Sequence, residues 1–151
     1  MRLVSTGIVT SPNYPGPYPH NLKQTQAIRV EQGQILSLEF TSFDLEYYSN
    51  CTFDHLTIMD GDGTTLMEKS CGVFLVIGGQ NQPGLTLPAK IMSRSNRVNF
   101  VFVTDESVTR SGWSVKWSVV TPGKGLLHKH NLKCYCPSSL ILISFILFLW
   151  V

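Results

Sequence analysis

The segment Gly112–Val119 reads "GWSVKWSV", in which Trp113, Val115, Trp117 and Val119 alternate without a break with Ser114, Lys116 and Ser118. A period of two places the two sets on opposite faces of an extended strand. Two tryptophans on one face demand an apolar layer to cover them, so the strand has to belong to a sheet packed against a second surface. The rest of the chain supplies no helix for that purpose, because no stretch before residue 120 sustains a 3.6-residue apolar period. It supplies strands instead. Leu36, Leu38 and Phe40 alternate with Ser37, Glu39 and Thr41 after a turn at Gln32-Gly33. "FDHLTIMDGDG" alternates again and ends in a Gly-rich turn at Asp60–Gly63, and "NRVNFVFVTD" is a nearly continuous apolar run suited to a central strand. Val9–Asn21 holds four prolines and reads as an extended, turning loop. Short strands separated by turn signals predict an all-β fold, an antiparallel sandwich or jelly roll.

Charge narrows the choice of partners. The net charge of +2 hides an asymmetry: all ten acids lie between Glu31 and Glu106, while residues 121–151 carry Lys124, Lys129 and Lys133 and no acid. Residues 7–120 hold 8 Lys/Arg against 10 Asp/Glu, a net of −2. No cluster of Lys and Arg offers a phosphate-binding surface, so a nucleic-acid partner is not expected. The acids are also unevenly placed. "DLEYYSNCTFD" (Asp44–Asp54) gathers three carboxylates around one cysteine. Such crowding is either a solvated loop end or a site that collects a cation.

The four cysteines form two unlike pairs, Cys51 with Cys71 and Cys134 with Cys136. The second pair is too close in sequence for an ordinary mutual disulfide. The first is either a disulfide or two buried thiols, and it adjoins Asn50-Cys51-Thr52, a sequon for glycosylation at Asn50. A cysteine pair beside a sequon favours an oxidising compartment, hence an extracellular protein, secreted or at the cell surface.

The ends read differently from the middle. Met1–Thr10 lacks the apolar run of a signal peptide. Leu140–Val151, "LILISFILFLWV", is a short apolar tail that falls below the roughly 20 residues a membrane-spanning helix needs. It reads as a truncated anchor with membrane association, as the tail of a lipid-anchor signal, or as an artefact of non-coding sequence. The expected organisation is a domain over residues 6–120, a linker over 121–139 and the apolar tail over 140–151.

In order and spacing, "SPNYPGPYP", "LEFTSFDLE", "CTFDHLTIMDG", "CG", "VNFVFVTD" and "SGWSVKW" resemble the blocks of a CUB domain across residues 6–120. The resemblance implies a jelly-roll sandwich that serves as an extracellular interaction module. It implies a Cys51–Cys71 bridge, worth about 3 kcal/mol by loop entropy, and lacks the cysteines of the family's first bridge. Val73–Lys90 is longer and more apolar than the family's usual connection after "CG".

In the calcium-binding branch of that family, the matching positions imply Ca²⁺ ligands at Glu46, Asp54 and Asp105, with backbone oxygens from Ser107 and Val108. Tyr18, in the "PYP" element, would hold a carboxylate in place. Val108 stands where many members carry Asn, which removes one side-chain ligand. Ca²⁺ is a hard cation that takes 6–8 oxygens, and three carboxylates supply the charge it needs. The same acids, with His55 read as a rim histidine beside Asp54, would accept a Lys or Arg from an extracellular partner protein. The expected function is therefore a calcium-dependent protein–protein interaction module within a larger protein. A non-catalytic fragment of a CUB-bearing protease is the alternative, as is a spermadhesin-like binder of glycans or egg-coat proteins without calcium. No enzyme is expected: neither G-x-S-x-G nor H-E-x-x-H occurs, and the tail cluster "HKHNLKCYC" is spaced more tightly than zinc ligands usually are.

Overall fold

The computed structural model describes residues 5–74 and 87–123. They form nine strands: β1 (Thr6–Thr10), β2 (Lys23–Arg29), β3 (Ile35–Asp44), β4 (His55–Asp60), β5 (Thr65–Ser70), β6 (Val73–Phe74), β7 (Ile91–Met92), β8 (Arg97–Val103) and β9 (Gly112–Val120). One 3-10 turn, Ser49–Cys51, precedes β4. All pairings are antiparallel. One sheet runs β1-β9-β3-β6, with β7 also on β3, and the other runs β2-β8-β4-β5.

The core lies between the sheets. Leu36, Leu38, Phe43, Trp113 and Val115 of the first meet Leu56, Ile58, Val98, Phe100 and Phe102 of the second, all fully buried. Each such side chain contributes about 1.5–3 kcal/mol by leaving water. Trp113 stacks on Phe100 at 5.5 Å between ring centres and meets Phe102 edge-on at 6.0 Å. The tryptophan face read from the sequence is thus the inner face, although only Trp113 and Val115 lie at its centre. Trp117 is half-buried and lies over Gly7, its partner on β1, where a Cβ would come within 2.7 Å of the indole.

A bulge resets the parity of β3. Phe40 opposes Val115 and Ser42 opposes Ser114, so Thr41 has no partner residue on β9. One extra residue turns the following side chains over. Leu36 and Leu38 face the core before the bulge, and Phe43 and Leu45 face it after. The Thr41 hydroxyl donates to the backbone oxygen of Ser114 at 3.2 Å and lies 2.9 Å from its hydroxyl. That is why Ser114, on the predicted polar face, is buried.

The two ends of the sandwich differ. Thr6 opposes Ser118 and the Val119 N–H donates to the Ser5 carbonyl at 2.9 Å, so the first and last strands begin and finish side by side. At the opposite end β3, β8 and the loop before β9 come together with the start of β4. The apolar connection read over Val73–Lys90 begins with β6 and leads directly into β7, both on the same edge of β3; residues 75–86 lie outside the described residues. So do residues 124–151, which hold Cys134, Cys136, most of the linker and the apolar tail. Among the described residues no helix is long and apolar enough to cross a membrane.

Candidate metal centre

Three strand ends set the site. Glu46 lies two residues past β3, held in line by Leu45, which is buried and whose N–H donates to the Gly72 carbonyl at 2.9 Å. Asp54 immediately precedes β4, and Asp105 lies two residues past β8. One carboxylate oxygen of each lies within 4.8 Å of the others. Residues from three separate segments therefore meet only because the sheets fold over one another.

Hydrogen bonds fix the group from beneath. Asp54 is 1% exposed; its Oδ1 accepts from the Asp105 N–H at 2.9 Å and its Oδ2 from the Tyr18 hydroxyl at 2.5 Å. The same hydroxyl oxygen accepts from the Glu46 N–H at 3.1 Å, so one phenol bridges two of the three acids. Tyr18 is buried and packs its ring edge-on against Phe102 at 5.2 Å. Burial, and then the bond to Asp54, push its ionisation far above the ordinary phenol range, which keeps it a donor. Asp105 Oδ1 accepts from the Ser107 N–H at 2.8 Å and from the Ser107 hydroxyl at 3.2 Å.

Glu46 carries the electrostatic strain. Burial first, then the charges of Asp54 and Asp105, push its carboxyl above its ordinary value, and Arg110 only partly offsets them. Its Oε2 is buried without a hydrogen-bond partner among the described residues. So is Oδ1 of Asp44, whose Oδ2 accepts from the Ser111 hydroxyl at 2.9 Å. A buried carboxylate oxygen with no donor is costly. A divalent hard cation satisfies it directly, so the residues present fit calcium.

The other expected contributors are placed as follows. The Ser107 carbonyl faces Nδ1 of His20 at 3.0 Å, and the Val108 side chain is 48% exposed. His55 is not at the rim: it is 8% exposed, with Nδ1 against the Phe53 carbonyl at 3.1 Å. Burial lowers its ionisation, and the nearby Asp54 charge does not compensate. Strand alternation put the ring outside the core but gave no sign that the outer side is covered. Sequence reasoning also missed Asp44, Ser111, His20 and Arg110; only Asp44, inside the acidic run, carried a signal. Cys51 and Cys71 form a disulfide with Cα atoms 5.5 Å apart. Asn50 is exposed in the adjoining turn, at φ 58°.

A family model described as "CUB domain" matches residues 3–117. Rat cubilin is 32% identical over 127 residues, covering 84% of this chain and 3% of the relative, so the chain spans a small fraction of that protein's length. Among solved structures, the full extracellular region of zebrafish Gpr126/Adgrg6 is similar with a TM-score of 0.62 and 25% identity, over 78% of this chain and 14% of that one. The MASP-1 CUB2 domain bound to Ca²⁺ is similar with a TM-score of 0.55 and 28% identity, over 74% of this chain and 90% of that one.

Proposed function

The chain belongs to the CUB domain family, and on that premise we propose that it is an extracellular protein-interaction module whose docking site is organised by calcium. The observation that carries the reading is the convergence of Glu46, Asp54 and Asp105, with the Glu46 Oε2 buried and unpartnered. The likeness to a domain solved with Ca²⁺ supports it, as does the extracellular setting of the Gpr126 neighbour. The family's modules are generally non-catalytic.

Glu46, Asp54 and Asp105 would hold the ion, with carbonyl oxygens from Ser107 and Val108 completing the shell and Tyr18 fixing the Asp54 carboxylate and the Glu46 backbone. Bound calcium supplies charge neutralisation and stiffens the loops rather than performing chemistry. The acids' remaining oxygens accept an ammonium or guanidinium from the partner, through charge-assisted hydrogen bonds that single copies make weakly and arrays make well. His55, being buried, takes no part.

Calcium binding is coupled to stability. A ligand at 100 times its Kd adds about 2.7 kcal/mol, and extracellular modules of this kind bind at about 10⁻⁴ to 10⁻³ M. Millimolar Ca²⁺ is expected to raise the Tm and a chelator to lower it. Asp105→Ala should erase the shift without unfolding the sandwich, because it removes a loop ligand and no core volume. Tyr18→Phe should weaken the shift less. No heat by calorimetry and no stabilisation at about 5–10 mM Ca²⁺, well above that Kd range, would overturn the reading.

A further inference from the structure

The sequon Asn50-Cys51-Thr52 supplies no group to the metal centre, and its three residues do not share one environment. Asn50 and Thr52 are exposed, while Cys51 is half-buried and bridged to Cys71. The backbone there is tightly folded. Asn50 lies at φ 58°, ψ 18° and Cys51 at φ 48°, two successive left-handed residues of which neither is glycine. The Cys51 N–H donates to the Tyr48 carbonyl at 3.0 Å, and the Thr52 hydroxyl donates to the Ser49 carbonyl at 3.3 Å. Oligosaccharide transfer needs the opposite arrangement, with the Asn amide and the Thr hydroxyl of an extended sequon entering one enzyme pocket together. In the folded, bridged domain the hydroxyl is turned back on the chain, and the middle residue is tied to Cys71, just past β5. Asn50 itself is exposed, so a sugar attached beforehand has room in the finished fold.

We propose that Asn50 is an N-glycosylation site that is open only while Cys51 is reduced, so that closure of the Cys51–Cys71 bridge sets how many molecules carry the sugar. In the transfer, Asn50 Nδ2 bonds to C1 of an oligosaccharide carried on a lipid diphosphate. The C1–O bond breaks, the lipid diphosphate leaves with its electron pair, and the amide gives up one proton. In the competing step the two thiols become a disulfide, and their two electrons and two protons reduce the disulfide of a lumenal thiol oxidant. The two steps run on comparable clocks. Cys71 lies 20 residues after Cys51, so at about 5–20 residues per second it is made roughly 1–4 s later. Disulfide formation takes from seconds upward. The parent chain is therefore glycosylated in part. The inference needs passage through an oxidising lumen and is independent of calcium.

The test is synthesis of the full chain, behind a cleavable leader, into microsomes, with occupancy read as the gel shift removed by an amidase that releases N-glycans. Partial occupancy of the parent is expected to become nearly complete when dithiothreitol is present during synthesis. The same rise is expected in Cys71→Ser, which frees Cys51 and keeps the sequon. Thr52→Ala should lose the shift in both conditions. Peptide mapping without reduction should find the parent's glycopeptide still joined to the Cys71 peptide, because the exposed turn accommodates both. Equal occupancy with and without the bridge overturns the inference, as does a glycan confined to unbridged molecules. A rise in Cys71→Ser with none in the parent under dithiothreitol also overturns it, since misfolding of the variant would then be the cause. No shift in any chain, dithiothreitol included, shows that Asn50 is not an acceptor and overturns it outright.

Discussion

Asp60 stands apart from the metal centre and is the residue on which the other end of the sandwich depends. It is fully buried at the end of β4. Its oxygens accept from the N–H groups of Gly61 at 2.7 Å, Arg94 at 2.6 Å and Ser95 at 3.2 Å, and from the Ser95 hydroxyl. Burial alone would raise its ionisation, but the Ser95 hydroxyl and the three N–H groups together hold it below the ordinary carboxylate value. A depressed carboxyl contributes stability that is present above its unfolded value of about 3.9 and is lost as pH falls through the folded one. Asp60→Ala is expected to cost about 3 kcal/mol at neutral pH, since it leaves buried donors unpaired. It should also flatten the acid limb of the stability curve below about pH 4; denaturant melts from pH 2 to 7 measure both. A variant as acid-sensitive as the parent would assign that limb to other groups. None of this was legible in "MDGDG", which read as a turn. Three of the four donors are backbone N–H groups, and these leave no mark in a sequence. The candidate metal acids were legible in another way: side-chain charge crowded into Asp44–Asp54 stood out, and the resemblance to the CUB family implied Glu46, Asp54 and Asp105 as the set.

At the level of elements, the strands were legible wherever apolar and polar residues alternated, and obscure where the geometry changed phase. In β3 the alternation Leu36, Leu38, Phe40 stops at Thr41-Ser42 and resumes at Phe43. Read as one strand the break looks like noise, whereas the bulge makes it necessary. Removing the extra residue would let Leu36 to Phe40 and Phe43 to Leu45 alternate regularly on one face, in unbroken register with β9. Deletion of Thr41 is therefore expected to keep cooperative melting and to cost only about 1 kcal/mol, for the lost hydroxyl contacts and the local twist. Thr41→Gly, which keeps the count, should retain both the fold and the melting transition. Circular dichroism on the pair of variants decides whether residue number or the Thr41 hydroxyl matters. The short β6 and β7 escaped sequence reading because two-residue strands carry no periodicity and owe their form to β3.

For the molecule as a whole, the domain limit expected at about residue 120 can be tested through the way β9 is held. β9 is paired on both sides, by β1 and β3, and Val120 opposes Ile35 as the last rung of β3. A chain ending at Gly123 is expected to melt in one cooperative transition and to keep its calcium response; loss of cooperativity by calorimetry would place part of the tail in the core.

Because Thr6 lies opposite Ser118, the two places where the polypeptide enters and leaves the sandwich are neighbours. Their hydrogen bonds run across the strands, not along them. A pull transmitted through the polypeptide would thus open β1 from β9 as a zipper, one rung at a time, instead of shearing all the rungs together. The rungs nearest the acidic loops, Val9 with Val115 and Thr10 with Ser114, would be the last of that pair to part. Under tension, the domain would therefore begin to yield at the end where the chain enters and leaves, while the acidic loops at the far end still held together.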